Sequence, residues 1–284
     1  MPETPPPVPT VVVLTALAPE YTAVRAHIED REELVHRDGT RVERGRLQGT
    51  DWYVALAELG EGTRTAAALT TRLIEWLRPE AVLFVGVAAG LADDIAPGDV
   101  VVGTKVYGIH GGQWASDGFL ARPESWPGSN ALVQAARSAV RDMPGVRAHF
   151  KPIASGDVVL ADAESEIAKH LREHYNDAAA IEMEGSGAAH AAHLGGQLDT
   201  LVIRGIRDRA DASASRERAA AQAASVAMTV LRKHRPRAGS AGCEPPPRPR
   251  PRSPKSSEED PHPAGDHIDF RNGTFYGPVI GKQR

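Results

Sequence analysis

Acidic residues recur just beyond apolar runs in this chain: Glu20 after VVVLTAL, Asp157 in ASGD, Glu182 and Glu184 after AAAI, and Asp208 after LVIRGI. Taken singly, each reads as an acid in a helix's first turn, where the helix dipole stabilises a carboxylate by about 0.3–1 kcal/mol. Taken together, strands that end the same way read equally as the wall of one carboxylate-lined pocket. Such a pocket suits chemistry that develops positive charge, because fixed carboxylates stabilise an oxocarbenium-like sugar. It also suits gripping a sugar, since one carboxylate accepts two hydrogen bonds from a vicinal diol. Both readings stand at this point.

The elements that must position these acids alternate along the chain. TVVVLTAL (10–17) is a buried-strand run, and PEYTAVRAHI (19–28) follows as a helix with Pro19 in its first turn. Residues 34–59 read as a meander turning at Asp38-Gly39 and Gly49-Thr50-Asp51. A helix over 62–77 precedes apolar strands at 81–91 and 99–109. Then come a helix at 129–140, a strand at 147–155 and a helix at 162–174. Strands at 178–183 and 199–206 flank a small-residue helix at 184–194, and a long helix over 213–234 closes the series. This succession predicts a three-layer α/β/α sandwich with a mixed, largely buried central sheet. In such sheets ligands collect where strands give way to loops.

Composition bounds the rest. With 41% hydrophobic and 25% charged residues over 284, the chain has the make-up of a soluble protein with one sizeable core. No apolar run approaches the roughly 20 residues that cross a bilayer, so no membrane partner is expected. MPETPPPVPT lacks the basic start and apolar stretch of a secretory signal. The single cysteine, Cys243, can form no internal disulfide, and a cytoplasmic location is expected. A net charge of −4 gives no case for nucleic acid. Four regimes follow one another: a disordered proline-rich start (1–9), a domain of periodic apolar segments (10–235), a Pro/Arg/Ser-rich linker (236–264) and a short C-terminal motif (265–284). His110, His190 and His193 show no ligand spacing, so no metal and no cofactor is expected.

Six segments in order carry a family resemblance: TALAPE (15–20), GEGTRTAAA (60–68), VGVAAGLADDIAPGDVVV (85–102), ASGD (154–157), AIEMEGSGAAH (180–190) and VIRGIRDRAD (202–211). Together they resemble the purine nucleoside phosphorylase/nucleosidase superfamily, and within it the bacterial 5′-methylthioadenosine/S-adenosylhomocysteine nucleosidases. The resemblance implies cleavage of the bond between a purine and its ribose, in a nucleoside or nucleotide, and a homo-oligomer. By the same resemblance Glu20 matches the acid that activates the attacking water. Glu184 matches the clamp on the ribose 2′ and 3′ hydroxyls, with Met183 packing on the sugar and Glu182 as a supporting neighbour. Asp208 matches the general acid at purine N7, a task that calls for a dry site and a raised pKa. Val159 and Leu160 lie on the base-binding segment, where the family often carries an aromatic residue.

Departures from the pattern bear on the nucleophile. Phosphorolytic members hold phosphate with a serine in the glycine-rich turn and with arginines, whereas Val87 occupies the serine-like position here. Valine donates no hydrogen bond, so water is the expected nucleophile. Backbone N–H groups of the turn still leave phosphorolysis as an alternative. Arg207 stands where nucleosidases often have a small hydroxyl residue; it either contacts a nucleotide phosphate or pairs with a surface acid.

The chain's end reads IDFRNGTFYGPVIGKQR, where aromatic and β-branched residues return after the linker. It is either a frayed or docked tail or a self-associating segment, since short β-prone stretches of low charge stack into cross-β. Gly277 to Gln283 (GPVIGKQ) is similar to bacterial amyloid signalling motifs related to animal RHIM sequences. That resemblance implies a partner, an NLR-like ATPase with a cognate motif, and a defence effector role. A housekeeping nucleosidase with a decorative tail is the competing expectation.

Overall fold

The computed structural model describes residues 9–116, 118–158, 160, 165–196, 198–208 and 213–235. The expected linker (236–264) and terminal motif (265–284) lie outside the described residues, as does most of the proline-rich start. Strand β1 (Thr10–Thr15) leads into helix α1 (Ala18–Arg25), strands β2 (Ile28–Val35), β3 (Arg41–Leu47) and β4 (Tyr53–Glu58), and helix α2 (Thr63–Leu77). Two long strands follow, β5 (Ala81–Gly90) and β6 (Val100–Gly108), then a hairpin of β7 (Gly112–Ala115) and β8 (Gly118–Ala121), and β9 (Glu124–Pro127). The remainder alternates as α3 (Asn130–Arg141), β10 (Ala148–Ser155), α4 (Glu166–His174), β11 (Ala180–Glu182), α5 (Gly185–Leu194), β12 (Asp199–Ile206) and α6 (Ala214–Lys233).

The main sheet is mixed and ten-stranded, in the order β11-β10-β6-β12-β5-β1-β4-β3-β2 with β9 added on β6. Successive side chains of a strand face opposite sides, and the central strands bury both. Val11, Val13, Leu83, Val85, Leu201 and Ile203 enter one core with Val24 of α1, Leu132 of α3 and Met228 of α6. Val12, Leu14, Val82, Phe84 and Val202 enter the other with Leu73 of α2 and Ala188 of α5. This double burial is why these strands are continuous apolar runs. Gly187 lets α5 lie against α2, since a Cβ there would overlap the Thr63 carbonyl oxygen.

One pairing adds to the expected mixed sheet. Strand β11 pairs in parallel with β10 and also antiparallel with β5, Ala180 opposite Gly90 and Ile181 opposite Ala89. Strands β5, β11, β10, β6 and β12 thereby close into a ring, which brings the acidic ends of β11 and β12 beside β5. Smaller differences have local causes. The first helix stops at Arg25, not residue 28, because Ile28 is 2% exposed and opens β2 as a core residue. Of the rest of β2 (EDREELV) all but Leu34 faces solvent, which offers no apolar alternation to read. Among the described residues no helix is long and apolar enough to cross a membrane.

Candidate active site

Glu20 is the third residue of α1, and three peptide N–H groups fix its carboxylate. Its side chain turns back so that Oε2 accepts from Ala16 N–H at 2.8 Å and Leu17 N–H at 3.0 Å. Its Oε1 accepts from Val87 N–H on β5 at 2.8 Å. The helix-terminus reading is therefore right in part, but the bond to β5 serves no helix. Glu20 is 2% exposed. Burial pushes its carboxyl above the usual range, against the pull of Arg204 and of the three N–H donors.

Arg204 is the residue that sequence reasoning passed over. It lies within β12 opposite Gly86 of β5 and is fully buried. Its Nη2 donates to Glu182 and stands 3.6 Å from Glu184 Oε2, while the guanidinium lies 4.2 Å from the Phe84 ring centroid. The ring face attracts the cation. Among the described residues its Nε and Nη1 have no hydrogen-bond partner. A Cβ on Gly86 would come within 2.5 Å of Glu20 Oε1 and closer still to Arg204 Nη1. Glycine is thus what allows the acid and the guanidinium to approach the same stretch of β5. The signal was present in LVIRGI: an arginine in a doubly buried strand must have a partner.

The two acids quoted beyond AAAI divide their work. Glu182 ends β11, and its carboxylate accepts the N–H groups of Glu184 and Gly185 at the start of α5, besides the Arg204 guanidinium. It ties the helix to the arginine. Glu184 Oε1 accepts from Gly62 N–H, just before α2, at 3.2 Å. Burial raises its carboxyl to about 7, opposed by Arg204 and helped by the neighbouring Glu182 and Glu20. Met183 between them is half-buried, and its carbonyl accepts the Thr63 hydroxyl at 2.9 Å.

A cavity of about 290 Å³ opens over this constellation. Glu182, Met183 and Glu184 form one side, Leu17 and Val87 another, and Ala89, Val158, Leu160 and Ile181 an apolar wall. Glu20 sits directly behind the cavity-lining Ala16, Leu17 and Val87 whose N–H groups it accepts. Arg207 and Arg216 also line the space. Of the expected site residues, Glu182, Met183, Glu184, Val87, Leu160 and Arg207 meet here, and Val159 lies outside the described residues. Asp208 follows Arg207 and is half-buried, its N–H donating to Ser215 Oγ at 2.7 Å, but it is not among the described residues lining the cavity. Asp157 does not belong to the shared wall. Its carboxylate accepts Thr63 N–H at 2.7 Å and caps α2, and its own N–H donates to His110 Nε2. His190 is exposed and stacks on Trp126.

A family model described as the Phosphorylase superfamily matches residues 10–233. A 5′-methylthioadenosine/S-adenosylhomocysteine nucleosidase of Shewanella sediminis is 35% identical over 178 residues, which span 59% of this chain and 72% of the relative. A protein of the same description from Chromohalobacter salexigens is 29% identical over 209 residues, 70% of this chain and 84% of the relative. Among solved structures, a Neisseria meningitidis nucleosidase of that description in complex with methylthio-immucillin-A superposes with a TM-score of 0.69. It is 27% identical, and the match covers 78% of this chain and 98% of that one.

Proposed function

The chain belongs to the phosphorylase superfamily, and from that premise we propose that it is a hydrolase of N-glycosyl bonds, splitting the purine–ribose linkage of a nucleoside or nucleotide. The observation that carries this reading is the approach of Glu20 and the unpartnered Arg204 Nη1 to the same face of Gly86. A buried donor without an acceptor costs about 1–3 kcal/mol, more when charged. That cost is accounted for if a nucleophilic water accepts from Arg204 and donates to Glu20. Water then adds to C1′ as the C1′–N9 bond breaks. Its proton passes to Glu20, and the bonding pair leaves with the purine, whose N7 proton the family resemblance assigns to Asp208, the residue after the cavity-lining Arg207. Glu184 holds the two ribose hydroxyls, Met183 packs on the sugar, and Val158 and Leu160 flank the base. Phosphate is the poorer nucleophile, because Val87 has no hydroxyl and its N–H is already given to Glu20. Release of free base from adenosine, AMP, ATP and methylthioadenosine, with and without phosphate, tests the reading. No base from any of them would sink it.

Glu184 accepts from both hydroxyls only when ionised, and burial holds its carboxyl at about 7. kcat/KM is therefore expected to fall about tenfold per pH unit below 7. In Glu184→Gln at least about a hundredfold of activity should be lost, and the acid limb that remains should be that of the Glu20 base alone, whose carboxyl burial also raises. A wild-type profile flat down to pH 5 would remove Glu184 from the sugar clamp.

We further propose that residues 10–235 form the catalytic unit of a defence effector. The linker 236–264 would tether it to the motif at 265–284, which pairs with an NLR-like ATPase. The return of Phe275, Tyr276, Val279 and Ile280 after the linker supports this. A 266–284 peptide that stays monomeric beside its partner motif would count against it. The housekeeping reading is supported by the names of the relatives, and a strong preference for methylthioadenosine over AMP would favour it. Homo-oligomerisation, the remaining part of the proposal, is checked by light scattering, where a monomer at micromolar concentration would refute it.

A further inference from the structure

We infer that Thr63 is a positioning residue for the sugar clamp: it fixes the start of α2 so that the Gly62 N–H holds Glu184 in the orientation that receives a vicinal diol. The inference rests on the nucleosidase reading for the identity of the sugar. Helix α2 opens with no side-chain cap of its own and no acid in its first turn, yet its first N–H groups need acceptors. Carboxylates from two other elements supply them. Glu184, at the start of α5, takes the Gly62 N–H at 3.2 Å, and Asp157, beyond the end of β10, takes the Thr63 N–H at 2.7 Å. The Thr63 hydroxyl then donates to the Met183 carbonyl at 2.9 Å. One residue thus ties α2 to the sugar-binding segment and, through Asp157, to β10. Asp157 is held in turn, since its own N–H donates to His110 Nε2 at 2.8 Å. Backbone packing leaves little slack, because a Cβ on Gly187 of α5 would overlap the Thr63 carbonyl oxygen. Gly62 stands at φ 106°, where glycine has wide freedom, so the aim of its N–H depends on the anchored residue that follows.

The effect on Glu184 is geometric. Its Oε1 is held by Gly62, and its Oε2 stands 3.6 Å from Arg204 Nη2. A carboxylate has about four acceptor positions, so each oxygen keeps one for a ribose hydroxyl, in a plane set by those two neighbours. The Gly62 N–H also favours the ionised form that burial opposes. A carboxylate free to turn would have to be ordered by the substrate, which weakens binding. Neither Thr63 nor Asp157 is among the described residues lining the cavity, so both act through Glu184 and not on the substrate.

Removing one hydroxyl from the substrate reads the clamp directly. With the full chain, base release from adenosine and from 2′-deoxyadenosine is measured, and the binding of both is titrated calorimetrically. A hydrogen bond to a charged acceptor predicts that the wild type prefers adenosine by at least about tenfold, in affinity and in kcat/KM. Thr63→Val keeps the shape and loses the hydroxyl, and there the ratio should fall below about threefold, because adenosine suffers and 2′-deoxyadenosine hardly does. Thr63→Ser should restore the ratio, and Asp157→Ala, which frees the Thr63 N–H, should lower it as Thr63→Val does. A threonine with a merely structural role would lower the melting temperature and slow both substrates alike. That outcome, or a ratio that Thr63→Val leaves unmoved while base is still released, overturns the inference and leaves the nucleosidase reading standing. A preference for binding adenosine that Thr63→Val abolishes, in a protein that releases no base, would sink the nucleosidase reading and leave the positioning role in place. A wild type that makes no distinction between the two sugars, in binding or in turnover, overturns the inference outright.

Discussion

Glu20→Gln is expected to lower kcat/KM for base release by about a thousandfold or more while the protein still folds. The substitution keeps size and shape but removes the basic carboxylate, and general-base catalysis is worth about 10²–10⁴-fold. The hydrogen-bond geometry shows what else changes. Glu20 Oε2 accepts two N–H groups and Oε1 accepts a third. A glutamine satisfies the first two with its carbonyl oxygen, which turns its NH₂ toward the Val87 N–H, donor against donor. That mismatch costs about 1–3 kcal/mol, or a melting temperature lower by roughly 2–12 °C for a domain of this size. Loss of activity should thus far exceed loss of stability. Base release at saturating and limiting substrate, with a thermal melt of the same preparation, separates the two. A Glu20→Gln protein within tenfold of wild type would mean that some other group activates the nucleophile.

How much of this was legible in the sequence depends on which side each residue faces. Strands β1, β5 and β12 were readable because both of their faces are buried, so every position carries the apolar signal. β2 was not: Glu32 and Glu33 pair across the ladder with Arg44 and Arg41 in solvent, and such charges look like loop. The acids drew attention by their position after apolar runs, yet that rule could not separate Glu184 from Asp157. Both accept N–H groups at the start of α2, and only the closing of β11 onto β5 turns one of them into the cavity. Arg204 was hidden in a segment taken as wholly apolar, although a charge there needs a buried partner. Arg216 had no signal at all, since an arginine in a charged helix start looks like surface. Whether it lines a cavity depends on how α6 packs against Val87, through Ala219 and Ala220.

Arg204→Met is expected to destabilise the fold by about 3–5 kcal/mol, the usual result of removing one partner from a buried ion pair. Methionine keeps an unbranched stem to pack on Phe84, so little of the loss comes from packing. What changes is that Glu182 and Glu184, each 5% exposed, share a dry site with no cation. Among the described residues Glu182 retains the N–H groups of Glu184 and Gly185, and Glu184 retains only Gly62 N–H. At roughly 2–4 °C per kcal/mol for a domain of this size, the melting temperature should drop on the order of 10 °C. The sign of the pH dependence follows from Glu184. Burial already holds its folded carboxyl at about 7, above its unfolded value, and without the opposing Arg204 it rises further. A carboxyl raised in the fold contributes stability that is fully present below the unfolded pKa and is lost as pH rises through the folded one. The deficit of Arg204→Met should therefore be small near pH 4.5 and largest above pH 8, the reverse of ordinary acid denaturation. Adding Glu182→Gln should recover part of the high-pH loss without restoring turnover, because the donor facing Glu20 stays absent. Melts at pH 5 and pH 8.5 that differ equally from wild type would show that the arginine serves packing, not charge, and would take away the electrostatic basis for its place beside the nucleophile.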